Sequence, residues 1–144
     1  MAYLAGYWQF WALLAAVFAS LTAIFAKLGV SEIDPDMATF LRTIVIVILL
    51  GLIVLWKQNA TGLSHLTPKA TGFLVLSGLA TGASWLCYFR AMHLGEASKV
   101  APVDKLSVVF VAVIAAIFLG EKLSAMGWAG VAFIATGSVL VALS

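Results

Sequence analysis

Charge is what this chain has least of. Of its 144 residues, 64% are hydrophobic and 10% are Asp, Glu, Lys or Arg. That is too little polarity to coat a soluble domain, so the apolar runs must face a medium other than water, and a lipid bilayer is that medium. The formal net charge is only +2, which gives no argument for nucleic acid as a partner. Cysteine is nearly absent, and Cys87 by itself excludes an intrachain disulfide. The opening stretch MAYLAG has no Lys or Arg. It lacks the basic region of a cleaved signal peptide, and the first apolar run reads as a retained span. Catalytic signatures are missing as well: there is no HExxH, no Cys/His ligand cluster, no phosphate-cradling glycine loop and no GxSxG. No enzymatic reaction, metal or cofactor is expected. His65, in a loop, and His93, at a helix end, read as interfacial residues. Low-complexity tracts and internal repeats are also absent, and the expectation is one membrane domain over residues 1–144.

What the chain does have is five apolar runs, each near the ~20 residues a spanning helix needs. They run from Tyr7 to Gly29, Asp36 to Trp56, Pro68 to Met92, Ser98 to Leu119 and Ala125 to Leu143. The fold class is therefore all-α and integral to the membrane. Local chemistry marks the starts. Asp34-Pro35-Asp36 supplies a capping side chain, a proline at the first helical position and an acid in the first turn. Thr67-Pro68 repeats the arrangement, and Ser124 is a cap for the fifth helix. The longest connection, Lys57 to Thr67, is polar and contains Gly62 and the sequon Asn59-Ala60-Thr61, too short a loop to favour glycosylation. The link Gly120–Lys122 is short enough to make the fourth and fifth helices an antiparallel pair.

Five spans place the termini on opposite sides. The N-terminal side carries Lys57, Lys69 and Lys122; the other carries Lys27, Arg90 and Lys99, with Arg42 and Lys105 deeper. Basic residues near the cytoplasm set orientation, and here neither side wins clearly. The balance is either a weak bias or dual topology, in which copies insert both ways and pair antiparallel. Tyr7, Trp8, Trp11, Trp56 and Trp128 gather near the N-terminal side and read as headgroup anchors, whereas Trp85 and Tyr88 lie well inside the third span.

Charges inside hydrocarbon are costly, so Arg42, Asp104 and Lys105 are functional candidates. Arg42 and Asp104 each sit six residues into helices that start from the same side, about 9 Å down. Neighbouring residues on a helix point about 100° apart, so Asp104 is expected to pair across helices, with Arg42 first and Lys27 second, rather than with Lys105. Two readings stand: a structural ion pair beside a snorkelling lysine, or a polar vestibule that binds a charged solute or relays a proton. Pro102, in the first turn or so of the fourth helix, leaves backbone carbonyls free near the same depth. Polar stripes follow helical spacing at Ser77, Thr81, Ser84 and Tyr88 with Trp85 beside them, and at Gln9, Ser20 and Lys27. Helix packing explains such faces, and so does a solute path, which the Trp85–Tyr88 pair favours. Gly78 and Gly82, and Ala125, Ala129, Ala132 and Thr136 with Gly130 and Gly137, read as close-packing surfaces within the protomer or across a dimer.

The stretches "AIFAKLGVSEIDPDMATFLRT" (Ala23–Thr43) and "YFRAMHLGEASKVAPVDKLSVVFVAVIAAIFLGEKLSAMGWAGVAFIATGSVLVA" (Tyr88–Ala142) carry a family resemblance. With Arg42 early in the second helix, small residues before Pro102, and "FLGEKLS" followed by "GWAGVAFIATG", the chain resembles the EamA-like domain of the drug/metabolite transporter superfamily. The resemblance covers nearly the whole chain as one half: most relatives fuse two such units, and this chain is similar to the single-unit, five-helix members. It implies a secondary transporter, an exporter of small metabolites, in which two inverted units enclose a site near the midplane. A single unit then works as an antiparallel homodimer by alternating access in the bacterial inner membrane. One departure matters. Four-helix relatives that exchange protons for cationic drugs use a carboxylate in the first helix, and here there is none between Tyr7 and Gly29. The deep charges are mostly cationic, so an amino acid or organic acid is the expected solute. Candidate solute-binding or coupling residues are Arg42, Asp104, Lys105, Ser20, Lys27, Ser77, Thr81, Ser84, Trp85 and Tyr88. Asp104 is the candidate for proton coupling. The first four helices are expected to line the path and the fifth to pack. The alternatives are a non-transporting membrane subunit, or one half of a heteromeric transporter.

Overall fold

The short polar segments that interrupt the apolar runs start and stop the helices. The computed structural model describes residues 7–57 and 66–144. The sequon at 59–61, Gly62 and His65 lie outside the described residues. The elements are α1 (Trp8–Val30), α2 (Pro35–Trp56), α3 (Pro68–Leu94), α4 (Ala97–Asp104), α5 (Ser107–Ile114), a single π turn at Ala115–Leu119, and α6 (Ala125–Leu143). They make five apolar spans, because Ala97–Leu119 acts as one. The fold is all-helical, as the sequence implies.

Each expected cap forms. Asp34 Oδ1 accepts from the backbone N–H of Asp36 at 2.9 Å and of Met37 at 3.1 Å. Thr67 Oγ1 accepts from Ala70 N–H at 3.2 Å and Ser124 Oγ from Gly127 N–H at 3.1 Å. These bonds satisfy donors that the first helical turn leaves without partners. At the other end of the fourth span, Gly120 takes the left-handed conformation, φ 68°, and the N–H of Glu121 closes onto Ala115 O at 3.2 Å. Glycine alone enters that region without a Cβ penalty.

The fourth span departs from the expected continuous helix. Pro102 is the sixth residue of α4, in the helix interior rather than its first turn. It has no N–H to give the Ser98 carbonyl. Just beyond it, Lys105 N–H bonds Pro102 O at 3.1 Å, Leu106 N–H bonds Val103 O at 3.0 Å, and Val108 N–H bonds Lys105 O at 3.0 Å. These are 3₁₀ bonds, three residues apart. The rod tightens at Lys105–Leu106 before resuming as α5, a pattern that marks a hinge or local strain.

The chain forms two compact units. One comprises α1 as far as Phe25 together with everything from Leu94 onward. Within it α4 and α5 pack along α6, as the short Gly120–Ser124 connection requires. The face of α6 turned inward is Val131, Ala135, Ser138 and Ala142, while Ala125, Ala129, Ala132 and Thr136 are exposed. The small-residue stripe expected for close packing is thus not the one used inside the protomer.

The second unit runs from Ala26 to His93. Its core holds Ala26, Val30, Ala38, Thr39, Phe89 and Met92, with Val30 and Met92 fully covered. Across both units many large apolar side chains are exposed, from Phe18 and Leu52 to Phe110 and Phe133. Such a surface suits hydrocarbon and not water. The expected anchors Tyr7, Trp8, Trp11, Trp56 and Trp128 are all exposed too.

Candidate functional site

α1 and α3 end, and α2 begins, on the same side of the membrane, and in the second unit these three ends are tied by polar bonds. Lys27, in the last turn of α1, donates from Nζ to Met92 O at 2.7 Å. His93, in the last turn of α3, lies with Nδ1 2.9 Å from Val30 O. A carbonyl only accepts, so this nitrogen carries the proton. Each helix thereby caps the other's C-terminus, where a cationic or polar donor meets carbonyls without helical partners. Asp36, in the first turn of α2, receives Arg90 of α3 through two bonds, Nη2 to Oδ2 at 2.8 Å and Nε to Oδ1 at 3.3 Å. This bidentate pair is exposed.

Deeper along the same two helices lies the feature with most functional content. Arg42 is on the inward face of α2, the stripe that runs Pro35, Ala38, Thr39, Arg42 and Ile46. Its guanidinium carbon sits 4.1 Å from the centroid of Trp85 and 5.4 Å from that of Phe89, both on α3. Phe89 is buried, Trp85 is half-buried, and Tyr88 is half-buried beside them. Among the described residues the guanidinium takes part in no salt bridge. Stacking on an aromatic face contributes about 0.5–2 kcal/mol, whereas holding a cation in the membrane interior costs about 2.5 kcal/mol or more. The rings alone do not offset the charge. They do leave the edge of the guanidinium, with its fork of N–H donors, for an acceptor that arrives from elsewhere.

The other expected residues fall out as follows. Asp104 Oδ2 accepts from its chain neighbour Lys105 Nζ at 3.2 Å, the partner that the angular spacing disfavoured. The angle of about 100° or more between helical neighbours is bridged by the lysine stem, which is long enough to bend back along the surface. The pair is partly exposed, 55% for Lys105 and 36% for Asp104. Lys27 is committed to the Met92 carbonyl. Ser77, Thr81 and Ser84 are exposed, and the Thr81 hydroxyl bonds Ser77 O at 2.8 Å. Ser20 likewise bonds Val17 O at 2.7 Å and is exposed. The inward face of α3 is rotated about 100° from the hydroxyl stripe, and runs Gly82, Trp85, Phe89 and Met92. Sequence reasoning named Trp85 but missed Phe89 and the Asp36–Arg90 pair. Phe89 at four residues from Trp85 was the available signal.

The sequence has clear relatives. The model of the EamA-like transporter family matches residues 6–143. A protein of Sinorhizobium sp, named as an uncharacterized transporter in the cobO 3'region, is 56% identical over 136 residues, covering 94% of this chain and 96% of that protein. An uncharacterized transporter of Bacillus subtilis (strain 168), YvbV, is 29% identical over 130 residues, covering 90% of this chain but only 43% of its own length. No solved structure matches.

Proposed function

Since this chain belongs to the EamA-like transporter family, and is a membrane transporter, we propose that its solutes are small anionic or zwitterionic metabolites, such as amino acids or organic acids. The observation that carries this reading is Arg42, a cation on an inward helix face whose described neighbours are aromatic rings 4.1 and 5.4 Å away. A solute carboxylate matches the planar fork of guanidinium donors and supplies the missing counter-charge. A lipophilic cation would be repelled there.

Two copies inserted in opposite senses provide the second half of the path. The near-even split of basic residues between the two faces supports this, as does the B. subtilis relative, of which the chain covers 43%. Transport then proceeds by alternating access around a site between two inverted units, in the inner membrane of a bacterium. Asp104 is the coupling carboxylate, partly exposed and held by its neighbour Lys105.

The test is uptake by proteoliposomes of purified protein, against a panel of amino acids, organic acids and quaternary ammonium compounds. Accumulation of a carboxylated solute, lost in Arg42→Gln, is the expected result. Uptake of quaternary ammonium ions alone would overturn the reading.

A further inference from the structure

We propose that Asp36 and Arg90 are positioning residues for the Arg42 site: their ion pair sets the register of α2 against α3 that lays the guanidinium on Trp85. The proposal takes its functional meaning from the reading of Arg42 as solute anchor, but its structural content stands apart from transport.

In hydrocarbon, apolar side chains gain little by leaving lipid for one another, so polar ties and close packing set how two helices slide and rotate. Between α2 and α3 two such ties exist, at different depths. The outer is Asp36–Arg90, with bonds of 2.8 and 3.3 Å. The inner is Arg42 on Trp85 at 4.1 Å. From Asp36 to Arg42 is six residues, about 9 Å along α2, and from Arg90 back to Trp85 is five, about 7.5 Å along α3. The two helices run in opposite directions, so both steps lead inward from the same membrane face.

Rotation is fixed as well. Viewed down α2, Asp36 and Arg42 lie about 60° to either side of Thr39, which is buried. On α3, Trp85 and Arg90 lie on opposite sides of Phe89, at about 40° and 100°, and Phe89 is also buried. The ties therefore straddle the buried Thr39 and Phe89 faces. One tie would let the helices roll about it; two on opposite flanks stop both rolling and sliding. Side chains between them are small on α2, Ala38 and Thr39, and offer little interlocking of their own. The bidentate form of the Asp36–Arg90 contact adds direction to attraction.

The experiment reads Trp85 directly and needs no solute. A protein in which Trp8, Trp11, Trp56 and Trp128 are replaced by Phe retains Trp85 as its one tryptophan fluorophore. Arg42→Gln in that background is expected to shift its emission by removing the stacked cation. Asp36→Asn and Arg90→Gln are expected to shift it in the same direction by at least half as much, and the double variant no further than either single one. Arg90→Lys keeps the charge and is expected to stay nearer the parent than Arg90→Gln. Circular dichroism is recorded for each to show that helix content is kept. Emission that moves with Arg42→Gln but not with Asp36→Asn or Arg90→Gln overturns the proposal, as does an Arg90→Lys shift equal to that of Arg90→Gln. Because no transport is measured, a wrong solute class would leave this result unchanged.

Discussion

Lys27 donates from Nζ to the carbonyl of Met92 at 2.7 Å, joining the last turn of α1 to the last turn of α3. A lysine that the sequence presents as a possible solute ligand is, in the fold, a cap on a neighbouring helix.

Lys27→Met keeps the stem and removes the donor. A hydrogen bond from a charged group contributes about 1.5–3 kcal/mol, so the variant is expected to unfold at lower temperature in detergent by a corresponding amount. Solute KM in proteoliposomes is expected to change far less than Tm. A large KM effect with unaltered Tm would assign Lys27 to solute binding rather than to capping.

Arg42 separates charge from shape. Arg42→Gln removes the cation and is expected to raise the KM for a carboxylated solute about tenfold or more, the equivalent of one charged hydrogen bond. Arg42→Lys keeps the charge but loses the planar fork and most of the stacking. It is expected to fall between the two, which initial-rate measurements resolve.

Trp85→Ala takes away the ring 4.1 Å from Arg42. Losing a cation–π contact of about 0.5–2 kcal/mol is expected to lower Tm modestly and to weaken solute binding. Trp85→Phe should recover part of both. Unchanged Tm and solute binding in Trp85→Ala would show that the stacked ring contributes to neither.

Asp104→Asn is expected to leave folding nearly unchanged, since a partly exposed ion pair with Lys105 contributes about 0–1 kcal/mol. In the proposed role it removes the proton-carrying group. Accumulation driven by a pH gradient should cease while solute exchange without a gradient continues. Persistence of gradient-driven uptake would reduce Asp104 to a surface ion pair.

Pro102→Ala restores an N–H to the middle of α4, opposite the Ser98 carbonyl. Proline inside a helix costs about 3 kcal/mol, so thermal stability is expected to rise by up to that amount. If the tight turn at Lys105–Leu106 serves as a hinge, the same variant slows turnover at saturating solute. A faster or unaltered turnover would assign the proline no part in motion.

The five spans and their starts were determined by the sequence itself, because both follow from local physics. A run of apolar residues either matches the bilayer thickness or does not, and Asp34, Thr67 and Ser124 cap N–H groups two or three residues away. The candidate solute residues were legible only as a roster. Arg42 and Trp85 were both on it, but neither charge nor spacing tells which helices become neighbours. Tertiary structure alone decided that Arg42 meets an aromatic face, that Asp36 meets Arg90 across 54 residues and Lys27 meets Met92 across 65. It also decided that the inward face of α3 passes through Trp85 and Phe89 rather than through Ser77, Thr81 and Ser84. The rotation of a helix about its axis depends on what packs against it. In a chain apolar on every side, no hydrophobic stripe announces that rotation beforehand.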